Sequence, residues 1–309
     1  MTTLSVEAPA TIANFGPGFD IFGVALDQPT DRITVRLRDD DAIRVYVQDN
    51  GWRVPSDVDA NTAGVAAREF LKRIGADVGV DVYVEKGITP GVGLGSSGAS
   101  AAGVVYALAK LLVDWLDYGL MIEAAGVGEA ASAGVAHLDN VAASLLGGFV
   151  FIRSQRPVQV MRMDVPPIPL VICTPSLDLG KRKTQLTRSL LPKNLELKLV
   201  VEQMAYTASV IAAIENGSLE EIGRAINRDN ISEPTRSKII PGYSEIKRRV
   251  LEAGAYGCNI CGGGPSVFAV CEEDLAEEIG LLMVEAFRRL GVESTLTITQ
   301  ASNAGVREA

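Results

Sequence analysis

The chain predicts an α+β fold in two domains. Strand-like segments with alternating apolar and polar residues lie among helix-like segments, without the strict strand–helix–strand succession of a doubly wound sheet. The 309 residues are enough for about two average domains, each able to bury a core of its own. Pro166-Pro167, followed by the apolar run Leu170–Cys173, marks a boundary near residue 160.

Arg32–Arg38 and Ala42–Val47 alternate apolar and polar residues around an acidic Asp39–Asp41 turn, a hairpin pattern. A helix over Thr62–Ile74 follows from the spacing of Val65, Ala66, Phe70 and Leu71. Val80–Val84 is a strand, and a glycine-rich loop then leads into a long apolar helix, Ser97–Leu112. Met121–Ala133 is helical and rich in small residues. A shorter helix at Asn140–Leu146 stops at Gly147-Gly148, before the strand Phe149–Arg153. Beyond the boundary, helices at Leu195–Asn216, Leu219–Asn227 and Tyr243–Ala253 precede a strand at Gly257–Cys261. A strand Val267–Val270, an amphipathic helix Leu275–Leu290 and a last strand Ser294–Thr299 complete the pattern. No internal repeat and no low-complexity tract is present.

Composition narrows the function. The balance of 29 basic against 38 acidic side chains gives a net charge of −9. Such a chain lacks the basic surface that nucleic acid or an anionic membrane requires. Met1–Ile12 lacks the basic-then-apolar order of a signal, and the apolar stretch Ser97–Leu116 is interrupted by Lys110 and Asp114. A soluble, cytoplasmic protein is expected. Cys258 and Cys261 form a lone CxxC with no second ligand pair, and the only His is remote at 137. The four cysteines therefore read as reduced thiols and not as a metal or redox site.

The most informative segment is Pro90-Gly-Val-Gly-Leu-Gly-Ser-Ser-Gly98, between a strand and a helix of small residues. Glycines let the backbone approach a ligand, and the N–H groups freed at a helix start favour an anion. Ser96 and Ser97 can cap the helix, donate to phosphate oxygens or contact Mg²⁺. The segment satisfies the string GxGxxG, but a dinucleotide fold needs a tight turn and a strand soon after the helix. Here Pro90 lengthens the loop and the next strand begins only near Phe149. No Lys follows the glycines, so the P-loop string is absent.

A second loop, Ala8-Pro-Ala-Thr-Ile-Ala-Asn-Phe-Gly-Pro-Gly-Phe-Asp20, follows a short strand, with Asn14 and Asp20 flanking a Gly-Pro-Gly turn. By themselves these residues fit an Asx-type turn as well as a polar substrate. The third punctuation is Cys261-Gly-Gly-Gly-Pro-Ser266, which alone could be only a hairpin.

Taken in this order and spacing, the three segments resemble the signature of the GHMP small-molecule kinases. Pro90–Ser97 is similar to the family's phosphate loop and Gly262–Ser266 to its Gly-x-Gly-Pro-[Ser/Thr] motif. The likeness extends over nearly the whole chain. Ala8–Asp20, His137–Gly148, Thr184–Pro192 and Glu233–Arg236 with Ile240-Pro-Gly resemble the homoserine-kinase branch of that family. The spacer Gly91-Val92 is one residue shorter than usual, and Cys261 and Gly263 stand where Ser and Ala are common.

This resemblance implies an ATP-dependent transfer of phosphate to the side-chain hydroxyl of L-homoserine, on the route to threonine. It implies an N-terminal nucleotide-binding domain, 1–160, and a ferredoxin-like C-terminal domain, 161–309. Asn61, Pro90, Gly91, Val92, Gly93, Leu94, Gly95, Ser96, Ser97 and Gly98 would serve ATP, with Ser97 and Glu129 holding Mg²⁺. Arg188 and Arg236 would grip the substrate carboxylate, and Asp20 or Asp139 the ammonium. Asn14, His137 and Thr184 would add hydrogen bonds. Asn140 stands where some relatives carry a catalytic Asp, and would orient the hydroxyl in a reaction driven by alignment and electrostatics. The resemblance leaves a homodimer open. Another GHMP kinase acting on mevalonate or shikimate, a GHMP-fold decarboxylase, and a non-catalytic binding module of the same fold remain as alternatives.

Overall fold

The computed structural model describes residues 2–177 and 187–309, the side chains of residues 132 and 133 excepted. Two compact units result. One comprises Met1–Ile12, Asp20–Met163 and Ser302–Ala309, and the other Ala13–Phe19 and Asp164–Ala301.

The first unit is built on a seven-stranded sheet, with strands numbered in chain order. Strands β1 (Thr3–Ala13), β2 (Phe22–Arg38), β3 (Ile43–Gln48), β4 (Gly79–Glu85), β5 (Phe149–Gln155) and β6 (Val158–Met163) join the closing strand β11 (Arg307–Glu308). Their order is β11-β1-β2-β4-β3, with β5 paired to β2 and β6 to β5. The long strand β2 has three partners, β1 as well as β5 along Phe22–Val24 and β4 along Arg32–Arg38.

The expected hairpin between residues 32–38 and 42–47 does not form. Strand β4 inserts between them, antiparallel to β2 and parallel to β3. The acidic turn is what receives it: Gly79 N donates to Asp40 O at 2.6 Å and Val80 N to Ala42 O at 2.9 Å. Arg38 also donates to buried Asp81 on β4 at 3.0 Å. Strand β1 likewise runs further than expected, through residues 8–13. Ala8, Ala10 and Ala13 are buried there, small enough for close packing without the bulky pattern that signals a strand.

Four helices pack in this unit. They are α1 (Thr62–Ile74), α2 (Ser96–Leu112), α3 (Tyr118–Ala133) and α4 (Leu138–Leu146). α1 packs on α2 and α3, while α2 packs on β2 and α4. Small residues let α2 come close: a Cβ on Gly103 would lie 2.8 Å from Ile33 Cδ1. Phe22, Phe70, Phe149, Ile33 and Leu108 fill the core, each such side chain contributing about 1.5–3 kcal/mol by burial.

In the second unit β7 (Pro169–Pro175), β8 (Gly257–Ile260), β9 (Val267–Val270) and β10 (Ser294–Gln300) form an antiparallel sheet ordered β10-β7-β9-β8. Helices α5 (Leu197–Asn216), α6 (Leu219–Ile226), α7 (Glu233–Arg236) and α8 (Tyr243–Glu252) lie between β7 and β8 in the chain, and α9 (Ala276–Arg289) between β9 and β10. That order and connectivity are ferredoxin-like. Val171, Ile246, Val250, Ile279, Met283 and Phe287 share its core. All four cysteines lie buried, and none is in a disulfide. Burial pushes the Cys258 thiol up to about 12, away from a reactive thiolate. Helix α5 is long and apolar enough, by length and composition, to cross a membrane. Its Gln203 is nevertheless buried in protein, donating to Pro17 O at 2.6 Å and Asp229 Oδ1 at 3.2 Å.

Candidate active site

The loop between β4 and α2 places glycine at every second position. Gly91, Gly93 and Gly95 all have positive φ, +75°, +95° and +67°, a region costly for residues with a Cβ. Gly95 is the N-cap of α2, and no side chain caps that end and no acidic residue occupies its first turn. The N–H groups and positive dipole end of a 17-residue helix are thus left for an anion. A Cβ on Gly95 would lie 2.0 Å from Thr11 Oγ1, so this turn also sits hard against β1.

A buried cluster pins both ends of the loop. Asp31 Oδ1 accepts from Gly87 N and Ile88 N, each at 3.0 Å, and its Oδ2 accepts from Ser100 Oγ at 2.9 Å and from Lys86 Nζ. Lys86 Nζ also donates to Ser96 O at 2.9 Å. Ser96 Oγ donates to Ile88 O at 2.9 Å, so its hydroxyl ties the helix start to the strand exit.

The same unit gathers an acidic group. Glu129 on α3 is 3% exposed and its Oε1 lies 3.1 Å from His137 Nδ1, at the start of α4. Its charge is felt at both Lys86 and Asp139. Asp139, in the first turn of α4, is 2% exposed and accepts from Asn140 N at 2.9 Å. Burial lifts its carboxyl to about 6; nearby His137 opposes the rise, while Asp20 and Glu129 add to it. Asn140 Oδ1 accepts from Thr11 Oγ1 at 2.7 Å. Asn61 caps α1, accepting from Ala63 N at 2.9 Å and donating to Pro55 O at 2.6 Å.

The second unit gathers cations around an aromatic ring. The guanidinium carbons of Arg188 and Arg236 lie 6.0 Å and 5.3 Å from the Phe19 ring centroid, within cation–π range. Gly262 O accepts from Arg236 Nη1 at 2.8 Å and from Asn14 Nδ2 at 3.2 Å. Asn14 adopts φ +66° and is buried.

Residues 61–148 match the GHMP kinases N terminal domain and residues 210–288 the GHMP kinases C terminal domain. The homoserine kinase of Pyrococcus furiosus is 41% identical, over 96% of this chain and 97% of its own. That of Pyrococcus abyssi is 39% identical, over 96% of each. The chain belongs to the GHMP kinase family. A crystal structure of homoserine kinase from Cytophaga hutchinsonii superposes with a TM-score of 0.92 at 34% identity, covering 100% of this GHMP kinase and 98% of that chain.

In this GHMP kinase the third glycine motif acts through its carbonyl. Cys261 N, Gly262 N and Gly264 N donate to Ser266, Ala13 and Cys261 carbonyls at 2.9, 3.2 and 2.8 Å, leaving Gly262 O to hold Asn14 and Arg236. Sequence reasoning missed Phe19, which in the chain is one aromatic beside a Gly-Pro-Gly turn, with nothing local to mark the two arginines that reach it. It also missed Asp31, Lys86 and Thr11, because each works through partners remote in sequence. Thr184 lies outside the described residues.

Proposed function

We propose that this GHMP kinase transfers the γ-phosphate of ATP to the side-chain hydroxyl of L-homoserine, giving O-phospho-L-homoserine for threonine formation. The observation that carries the reading is the run of left-handed glycines 91, 93 and 95 opening into an α2 terminus free of acidic residues. Names borne by relatives near 40% identity over nearly their whole length support the choice of acceptor.

Pro90–Gly98, with Asn61 fixing the start of α1, would receive the nucleotide. The Ser97 hydroxyl and the Glu129 carboxylate are an all-oxygen donor set, which fits Mg²⁺. Among the described residues no group of three or more His, Cys, Asp and Glu side chains is assembled for a metal. Water and phosphate oxygens would complete the ion's shell. Bound there, Mg²⁺ would neutralise charge on the phosphates. His137 would hold Glu129 through Nδ1.

For the amino acid, Arg188 and Arg236 would take the carboxylate, a bidentate partner for a guanidinium. Asp20 or Asp139 would take the ammonium, with Asn14, His137 and Thr184 supplying hydrogen bonds. Asn140 would orient the hydroxyl. Such a transfer leans on positioning more than on early proton removal. A cytoplasmic location suits a chain whose four cysteines are all outside disulfides.

A coupled assay of ADP release with homoserine, mevalonate and shikimate tests the reading. Turnover with homoserine alone is expected; turnover with mevalonate or shikimate and none with homoserine would overturn it, as would carbon dioxide release.

A further inference from the structure

We infer that Thr11 is a positioning residue, which sets which end of the Asn140 amide faces the acceptor and ties that amide to the phosphate loop. The inference rests on the proposed roles of Asn140 and of the loop.

Thr11 makes two bonds in two directions. Its hydroxyl donates to Asn140 Oδ1 at 2.7 Å, and its backbone N–H donates to Leu94 O at 3.1 Å. Leu94 and Gly95 belong to the phosphate loop, and Asn140 to α4. A Cβ on Gly95 would meet both Thr11 Oγ1, at 2.0 Å, and Asn140 Oδ1, at 2.8 Å, so strand, loop and helix converge on this one hydroxyl. Thr11 is fully buried on β1. As a β-branched residue in a strand it has few χ1 choices, which fixes the place of its Oγ1, and the hydroxyl proton turns to the acceptor there, Asn140 Oδ1.

A chemical consequence follows. The threonine hydroxyl has a single proton, and it is given to the amide oxygen. Asn140 therefore keeps its Nδ2 protons as the group it can turn toward a ligand, and it acts as a donor to the acceptor's oxygen and not as a receiver of the hydroxyl proton. Because the same residue also holds Leu94, a shift of Thr11 would move the amide relative to the phosphates, and small misplacements of reacting groups are costly in rate.

Steady-state kinetics on four variants, with a fifth held in reserve, test this. Thr11→Val keeps the shape and removes the hydroxyl; kcat is expected to fall on the order of 10–100-fold, with both KM values within about threefold. Thr11→Ser, which restores the donor, is expected within about fivefold of wild type. Asn140→Ala and the double variant Thr11→Val/Asn140→Ala are expected to have equal kcat, because the two residues act as one unit. Should valine impair folding, Thr11→Ala, which only deletes atoms, is expected to show the same loss in kcat. Wild-type kcat in Thr11→Val or Thr11→Ala beside an impaired Asn140→Ala would overturn the inference alone, as would additive losses or a serine variant as slow as valine. Wild-type kcat in Asn140→Ala would instead contradict the proposed role of the amide, and the inference with it.

Discussion

Lys86 and Asp31 form an ion pair buried on both sides, and through it the strand exit at 86–88 and the helix start at 96–100 share one anchor. Burial drags the Lys86 ammonium below its ordinary range, against the pull of Asp31. Breaking such a pair on one side leaves an uncompensated charge, costing about 3–5 kcal/mol. Asp31→Asn and Lys86→Met are each expected to lower stability by that order in urea unfolding. The double variant should lose clearly less than the sum of the two. Additive losses would show that the pair does not act as a unit.

Asp139 makes stability depend on pH in a defined direction. Its carboxyl titrates at about 6, raised from 3.8 by burial. Between those values the folded chain holds a proton that the unfolded chain has released. The contribution is therefore full below about pH 4 and lost as pH rises through about 6. Asp139→Asn is expected to be more stable than wild type at pH 8, by about 1–3 kcal/mol, and no more stable at pH 4. An equal gain at both pH values would contradict the assignment. The same variant should bind homoserine less well, since a counter-charge for the ammonium is gone.

Arg236 donates to Gly262 O and faces Phe19. A lysine there offers a point charge without the planar fork. Arg236→Lys is expected to raise KM for homoserine about tenfold or more, with KM for ATP unchanged. Phe19→Leu should raise the same KM in a smaller degree, because the ring under both guanidinium groups is lost. An effect on ATP alone would argue against this side of the site.

Two glycines of one loop should respond differently to alanine. At Gly91, φ is +75° but a Cβ meets nothing within 4 Å, so only the left-handed backbone opposes it, at about 1–2 kcal/mol. At Gly95 the added carbon collides with Thr11 Oγ1. Gly95→Ala is expected to cut kcat about 100-fold or more while Gly91→Ala stays within about tenfold, a difference of more than 1.4 kcal/mol in barrier. Equal losses would mean that close approach to Thr11 does not matter.

The parts of this chain that declare themselves locally were legible in its sequence. Pro90–Gly98 needs glycine where φ is positive, and α1, α8 and α9 show their buried faces in their own spacing. Pairing was not legible where the partner is remote. The alternation in 32–38 and 42–47 is real, yet nothing local says that residues 79–85 come between them. Small-residue packing hid the length of β1, since alanine carries little strand preference. In the site, charged residues were visible as types, whereas their partners were not: the Ser96 hydroxyl closes on Ile88 O, and Gly262 acts through its carbonyl.

Identification of the phosphorylated product tests the central claim most directly. Incubation with Mg-ATP and L-homoserine, followed by ³¹P NMR of the reaction mixture, should reveal one new phosphomonoester split by two methylene protons, growing in step with ADP. Release of ADP without that resonance, or phosphate carried on the carboxylate or amine, would contradict transfer to the side-chain hydroxyl.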